Sequence, residues 1–404
     1  MNRVYTGLDI GENTIKIAVM KKTDTDLVLL AKSEVKTSGI SKGNIVDAKS
    51  ASKSIASAIQ SINSKLNIEI KKVIISIKSK IVVYKVANSE IKVIDPNMIS
   101  GKDITNIIKN SVKDNIDDDY ELVTAFPVAY KLDGGMVTNN PKGKSSEKLY
   151  SKVVLGSVPK KYLIDYLNLV SLCGLEVVDV TLNDVADYYA VRNKEIDKQV
   201  GIIVDVGESE TSIGLFNKGI LIKSSSSPNG SHHVDNDISY IYKIGYKDAR
   251  KLKETYATAS VRYADKYDEI EIKDENGQSE KVSQYKLSEI VEARIGELLN
   301  LTKKEIKNLT NRRISYIIIL GGLSEMTGFS FLASRLFGEK VTVWSSTTLG
   351  MRHNKYGTLI GMIKYFDNKL ESRSKKLSMI DNASYDKLSE TDNLEMVIRK
   401  MLND

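Results

Sequence analysis

Apolar positions run almost unbroken from Val4 to Ile10, stop at Gly11, and resume from Ile15 to Met20. Two such runs around a tight Gly-containing turn predict a β-hairpin. A charged turn, Lys21 to Asp26, leads into a third strand over Leu27 to Ala31. Residues 47 to 64, DAKSASKSIASAIQSINS, place Ile55, Ile59 and Ile62 at helical spacing, and VIISI at 73 to 77 reads as a buried strand. The succession returns from residue 200: GIIVDV is a strand, ETSIGLF its hairpin partner, GILIKSS a third strand, and residues 233 to 243 a helix. A supersecondary unit repeated at this distance predicts two related lobes, not a short-period solenoid. Two lobes predict a cleft, a favoured place for a ligand.

The remaining pattern divides the chain further. Residues 85 to 165 mix strands, one helix (103 to 114) and a loop rich in Gly, Pro and Asn, and read as a small inserted α+β domain. Residues 226 to 313 read as mostly helical and polar, with a hydrated patch at KDENGQSEK (273 to 281). The first lobe takes residues 1 to 84, 166 to 199 and a final helix at 353 to 366; the second takes 200 to 225 and 314 to 352. Residues 367 to 392 are polar and poor in aliphatics, which predicts a flexible tether, and 393 to 404 break that pattern.

Composition narrows the class. The 404 residues are 41% hydrophobic, enough for a sizeable core. The net charge of +7 is spread among interleaved Lys, Asp and Glu, so no concentrated basic face is available for nucleic acid, and an acidic surface or partner fits better. Cys173 is the lone cysteine, which rules out an internal disulfide and fits a reducing cytoplasm. No apolar run approaches the roughly 20 residues of a membrane span, and the N-terminus lacks a signal peptide's apolar core.

Three stretches carry candidate chemistry. LDIGENT (8 to 14) and VDVGESET (204 to 211) each end a strand on an Asp and turn on a Gly. Backbone N–H groups of such a turn can converge on a phosphate, and the Asp can hold Mg²⁺ directly or through water. A single strand-Asp-x-Gly hairpin is common in many folds; one opening each lobe is far more specific. The third stretch, YIIILGGLSEMTGFSFLASRLFG (316 to 338), is a buried strand ending on Gly321-Gly322, with a helix after the turn and a second helix from Gly328. Paired glycines let a flat ring approach the backbone, which suits an adenosine.

These residues resemble FtsA, the actin-like protein of the bacterial cell-division ring. LDIGENTIK is similar to the family's first phosphate loop, VDVGESETSIGLF to the second, and LGGLSEMTGF to the adenosine motif. SGISKGNIVDA (38 to 48), FPVAYKLDGGMVTNNPKG (126 to 143), SLCGLEVVDVTLNDVADYYAV (171 to 191), NDISYIYKIGYKDARKLKETYA (236 to 257), LSEIVEARIGELL (287 to 299) and YGTLIGMIKYF (356 to 366) follow family phrasing, so the resemblance runs from about residue 4 to 366. It implies an α/β, two-lobed actin-like ATPase fold with RNase H-like duplicated lobes. The insertion at 85 to 165 would be the subdomain peculiar to FtsA and its pilus-assembly relative PilM (1C), and 226 to 313 would be subdomain 2B.

The resemblance also implies the ligands. ATP would meet Gly11, Glu12, Asn13, Thr14 and Lys16 of the first loop, Gly207, Glu208, Ser209, Glu210 and Thr211 of the second, and Gly321, Gly322, Leu323 and Met326 of the adenosine motif. Asp9 and Asp205 would be catalytic and flank Mg²⁺. The family's second loop is Gly-Gly-Gly-Thr followed by Thr-Asp, whereas Glu208, Ser209 and Glu210 stand here, with Ser212 at the family's Asp. A carboxylate about 4 Å from a phosphate oxygen costs about 4 kcal/mol at an effective dielectric near 20. Mg²⁺ offsets part of that, and turn side chains can point outward while the backbone binds. The family's water-orienting Glu falls at Asn183, with Asp184 beside it. The expectation is ATP binding with weak or absent hydrolysis; the alternative is a site that has lost nucleotide.

In the tail, Leu394, Val397, Ile398, Met401 and Leu402 share one helical face beside Arg399 and Lys400. A short amphipathic helix on a polar tether reads as an interfacial anchor for anionic lipid; the alternative is a helix docked on its own domain. Five apolar anchors and about 1 kcal/mol per basic residue bind weakly, so anchoring is expected to depend on polymer avidity. The resemblance implies head-to-tail self-assembly, binding of the FtsZ C-terminal tail with Arg250, Lys251 and Lys253 in the matching segment, other division proteins as partners, and a place on the cytoplasmic side of the membrane at the division site. A PilM-like pilus scaffold would lack the tail helix. A sugar or acetate kinase needs a catalytic base, for which the sequence offers no candidate, and a chaperone of the heat-shock 70 type needs a long further domain. His232 and His233 read as a solvated loop, Cys173 as buried, Asp117 to Asp119 as a solvated turn, and Glu292 with Arg294 as either a surface pair or a segment near the adenosine.

Overall fold

Strands covered on both faces of a sheet read as nearly continuous apolar runs, and residues 4–8 and 201–204 are such runs, buried throughout. The computed structural model describes residues 3–24, 26–372 and 375–391. It divides into two compact units, one of residues 1–189, 348–350 and 358 onward, the other of 190–347 and 351–357.

In the first unit, β1 (Arg3–Ile10), β2 (Thr14–Lys22) and β3 (Leu27–Lys36) form an antiparallel meander, followed by the two-residue strands β4 (Ile40–Ser41) and β5 (Asn44–Ile45). Helix α1 (Ala48–Leu66) starts at Asp47, whose carboxylate accepts from the N–H groups of Lys49 and Ser50, and it buries Ile55, Ile59 and Ile62. Strand β6 (Lys72–Ile77) then lies parallel to β1. The chain next builds a separate antiparallel sheet from β7 (Val83–Lys92), α2 (Gly101–Val112), β8 (Tyr120–Leu132), β9 (Val137–Thr138) and β10 (Lys148–Pro159), in the order β7-β10-β8-β9. Its small core gathers Val93, Ile99, Ile107, Tyr130, Leu132 and Leu149. Helix α3 (Lys160–Ser171) belongs to the main body, because the hydroxyls of Tyr162 and Tyr166 both donate to the Gly43 carbonyl. The insertion therefore closes before residue 165. Strand β11 (Glu176–Leu182) completes a sheet of order β11-β6-β1-β2-β3, and α4 (Asn183–Val191) follows.

The second unit repeats that order. β12 (Val200–Val206), β13 (Thr211–Asn217) and β14 (Ile220–Ser227) are the meander; α5 (His232–Tyr242), α6 (Tyr246–Tyr256), β15 (Glu269–Lys273), β16 (Ser279–Ser283) and α7 (Gln284–Leu309) intervene; β17 (Tyr316–Leu320), α8 (Phe329–Phe337) and β18 (Val341–Val343) finish a sheet of order β14-β13-β12-β17-β18. The two sheets share one plan: an antiparallel meander extended by two parallel strands beside its first strand. The unit begins at residue 190 and not at 200, because Arg192 pairs with Asp197 and the Gln199 carbonyl accepts from Lys218 N–H. The hydrated KDENGQSEK stretch is the mostly exposed turn of the β15–β16 hairpin: Ile270 and Ile272 are half-buried at alternate positions of β15, and Asp274 Oδ1 accepts from the N–H groups of Asn276 and Gln278.

The expected tether is corrected most. Helix α9 (Gly357–Ser372) runs past 366, and α10 (Asn382–Thr391) is helical. Between them the Met379 N–H donates to the Val4 carbonyl at 2.9 Å, Ser378 Oγ accepts from Val4 N–H at 3.3 Å, and Met379 Sδ lies 3.2 Å from Thr6 N. Asp367 binds Arg3 and Lys22. Met379 and Leu388 supply the buried apolar contacts, too few to show as a pattern in a polar stretch. The tail residues Leu394, Val397, Ile398, Arg399, Lys400, Met401 and Leu402 lie outside the described residues.

Candidate functional site

Both phosphate-loop candidates are turns just beyond the end of a strand ladder. The first ladder stops at Ile10–Ile15 and the second at Val206–Thr211, so Gly11 to Asn13 and Gly207 to Glu210 lie outside the cross-strand pairing. Each turn closes identically: Gly11 N–H donates to the Thr14 carbonyl at 3.1 Å, and Gly207 N–H to the Glu210 carbonyl at 3.0 Å. A Cβ at either glycine would sit 2.7 or 2.8 Å from that oxygen, so the turns exclude other residues.

In the first turn, Asp9 is buried at the end of β1 and its Oδ2 accepts from Lys16 Nζ, its cross-strand partner, at 2.9 Å. Lys16 thus reaches the Asp of its own hairpin. Glu12 pairs with Lys78 at 2.6 Å, and the Asn13 carbonyl accepts from Thr37 N–H. Thr14 opens β2.

In the second turn, Glu208 points to α6, where its Oε1 lies 3.0 Å from Arg250 Nη1 and 3.5 Å from the Tyr246 hydroxyl. Burial pushes the Glu208 carboxyl up from its usual range; Arg250 opposes that shift and Asp235 adds to it. The Glu208 carbonyl accepts from His232 N–H at 3.0 Å and lies 2.7 Å from His232 Nδ1, so His232 opens α5 against the turn and does not sit in a solvated loop. Gly230 presses so close that a Cβ there would fall 2.1 Å from the same carbonyl, and buried Thr211 donates to the Asn229 carbonyl. Asn229, Gly230 and His232 are site residues the sequence reading missed; the Pro228-Asn229-Gly230 turn before a helix was the available signal. Ser209 and Glu210 are half-buried.

The third stretch joins the second turn directly. Gly321 has φ 100°, and a Cβ there would lie 2.4 Å from the Val206 carbonyl and 2.7 Å from Asp205 Oδ1. Gly322 is open, with Lys355 Cβ at 3.7 Å and His353 Cε1 at 3.9 Å from a Cβ position. A single 3₁₀ turn, Gly322–Glu325, follows in place of the expected helix; Leu323 is buried, and Met326 N–H caps the turn on the Leu323 carbonyl. Glu325 holds His353 at 3.1 Å and accepts from Asn354 N–H, and Asn354 Nδ2 donates to Ser324 Oγ, which fixes residues 353–354 beside the glycines. A separate cavity of about 810 Å³, lined by Val261, Glu292, Gly296, Lys304 and Arg335, does not include these glycines.

Asn183 opens α4 with a buried Oδ1 that has no hydrogen-bond partner among the described residues; Asp184 beside it is buried and its N–H donates to Ser79 Oγ. The basic trio expected to meet a partner peptide is not one surface. Lys253 is buried and pairs with buried Asp235 at 2.6 Å, Arg250 is held by Glu208 and Glu254, and Lys251 alone of the three is exposed. Glu292 accepts from Val261 N–H, whereas Arg294 pairs with Asp237. Cys173 is half-buried, not fully buried, with its Sγ near the Ser52 and Leu169 carbonyls.

Comparison with known proteins meets this geometry. The FtsA family profile, described as cell division protein FtsA, matches residues 202–361, which span the second turn and the glycine pair. The cell division protein FtsA of Streptococcus pneumoniae serotype 2 (strain D39 / NCTC 7466) is 27% identical over 367 residues, 89% of this chain and 79% of that one. By both matches the chain is similar to FtsA proteins. Solved structures confirm the fold implied by the FtsA resemblance. The PilM-PilN type IV pilus biogenesis complex matches with TM-score 0.61 at 12% identity, covering 89% of this chain and 97% of that chain. MreB5 of Spiroplasma citri bound to ADP matches with TM-score 0.56 at 13% identity, covering 92% and 98%. The fold is the actin-like ATPase fold, with the FtsA-like turns at the ends of equivalent strands in its two sheets.

Proposed function

We propose that the chain is an actin-like scaffold of the division septum that binds ATP, assembles head to tail on the cytoplasmic face of the membrane, and tethers the FtsZ ring there. The observation that supports this best is the duplicated hairpin, an Asp-x-Gly turn at the end of the first strand in two sheets of the same order. The residues fit ATP with Mg²⁺: both turns are glycine-closed, and Glu12 and Glu208, which would oppose a phosphate, are held by Lys78 and Arg250. Asp9 and Asp205 would hold the cation, directly or through water, and the cation would neutralise phosphate charge. Asn183 carries no carboxylate to activate water, which favours binding with little turnover.

Head-to-tail contacts that do not close build filaments, and a filament multiplies a weak anchor. No helix among the described residues is long and apolar enough to cross a membrane, and attachment is assigned to the amphipathic stretch 393–404. Lys251, exposed on α6, suits an acidic peptide; Lys253 does not. The test is co-sedimentation with anionic vesicles and a synthetic FtsZ tail peptide, comparing the full chain with a chain ending at residue 391. The reading expects the full chain to pellet with vesicles and carry the peptide, and the shortened chain to stay in solution. Equal pelleting of both, or no peptide in the pellet, would contradict it.

A further inference from the structure

In each phosphate turn the glutamate that follows the glycine, Glu12 or Glu208, is taken by a base from its own unit. Glu208 Oε1 lies 3.0 Å from Arg250 Nη1, and Glu12 Oε1 lies 2.6 Å from Lys78 Nζ. Neither pair is a loose surface contact: the side chains are 25% and 29% exposed in the first, 15% and 15% in the second. The bases are themselves held. Arg250 Nε donates to Glu254 at 2.9 Å, and the stem of Lys78 lies against Gly43, where a Cβ would meet Lys78 Cδ at 2.6 Å. The backbone of the second turn is pinned independently by His232 and Gly230, so the Glu208 side chain leaves the turn in one direction, toward α6.

We propose that Arg250 and Lys78 are positioning residues for the nucleotide: each draws its turn's carboxylate aside and neutralises it, which leaves the backbone N–H groups of the turn to the phosphates. This rests on the ATP reading above and deepens it. An acidic phosphate turn then binds an anion because its acid already has a counter-ion. Four groups besides Arg250 face Glu208: the Tyr246 hydroxyl from α6, and from α5 and α6 the Asp235–Lys253 pair and His232. Asp235 opposes the charge on Glu208 more than Lys253 supports it, and His232 is engaged at the carbonyl, so Arg250 is the principal counter-ion of Glu208. In the first turn, Asp9 is paired with Lys16, which leaves Lys78 the same role for Glu12.

The experiment is calorimetric titration of the full chain with ATP and Mg²⁺, and separately with adenosine, for the parent, R250M, R250K, E208Q and R250M/E208Q, with K78M as the first-turn counterpart. R250M is expected to weaken ATP about tenfold or more while adenosine changes little, because the unmasked carboxylate repels phosphate and not the ring. R250K restores most of the affinity, and so does R250M/E208Q. Lowering the pH is expected to restore R250M as Glu208, whose carboxyl burial already holds above its usual range, takes up a proton, which a merely structural role for Arg250 would not do. E208Q keeps the shape of the turn and is expected to tighten ATP binding, because it removes a negative charge beside the phosphates. R250M binding like the parent, equal losses for ATP and adenosine, no recovery in the double variant, or weaker binding by E208Q would each overturn the proposal while the parent still binds ATP. A folded parent that binds no ATP overturns the nucleotide reading itself, and this role with it.

Discussion

Gly321 and Gly322 are neighbours with opposite demands, and substituting each by Ala separates the fold's requirement from the ligand's. At Gly321, φ is 100° and ψ 157°, backbone that is essentially glycine-only. Holding Ala there costs about 1–3 kcal/mol. The added Cβ would also stand 2.4 Å from the Val206 carbonyl and 2.7 Å from Asp205 Oδ1, so backbone must shift in a sheet that cannot yield freely. Overpacking of that kind adds about 1–3 kcal/mol, for about 2–6 in total. With about 2–4 °C per kcal/mol for a unit of this size, the transition of the second unit is expected to fall by about 4–24 °C in a calorimetric scan. At Gly322 a Cβ meets nothing nearer than 3.7 Å, so G322A is expected to melt within about 2 °C of the parent. If a flat ring lies on that glycine, G322A nevertheless weakens ATP. Equal melting temperatures for G321A and the parent would refute the backbone argument. Unchanged ATP affinity in G322A would refute the assignment of Gly322 to the adenosine.

Two further outcomes follow from the packing. Met379→Asp removes a buried thioether and the strap it fixes along β1, and is expected to cost about 2–4 kcal/mol locally; hydrogen exchange should then quicken at the amides of Val4 and Thr6, and unchanged protection would contradict the strap. At Asp103, burial works against the charge, but bonds from the Ser100 hydroxyl and from the N–H groups of Ile94 and Ser100 outweigh it and hold the carboxyl below its ordinary value of 3.8. A depressed carboxyl adds stability above that value and loses it as pH falls through its folded pKa, so D103N should cost about 1–2 kcal/mol near neutral pH and progressively less as the pH falls below 3.8 in denaturant titrations.

The elements that position the site were legible because their pattern is local and redundant. β1 and β12 are apolar runs ended by an Asp, and each meander is a short-range hairpin. The duplication was legible for the same reason. What the sequence hid was carried by single residues or distant pairs. β15 and β16 hold only three buried or half-buried aliphatics, Ile270, Ile272 and Val282, in a Lys/Glu-rich stretch. The strap at 378–379 rests on one Met and backbone bonds to Val4, more than 370 residues away. Lys253 reads as a surface base because its buried partner, Asp235, is on another helix. The Glu208–Arg250 and Glu12–Lys78 pairs span 42 and 66 residues, so the loop glutamates looked like a defect until their partners were placed.

The account stands on the second turn binding phosphate through its backbone despite its glutamates. The measurement that tests this most directly is titration of the folded parent chain with ATP and Mg²⁺ beside D205A. Micromolar binding by the parent that is lost in D205A is the predicted result. No binding by the parent, or binding of equal strength in D205A, would contradict it.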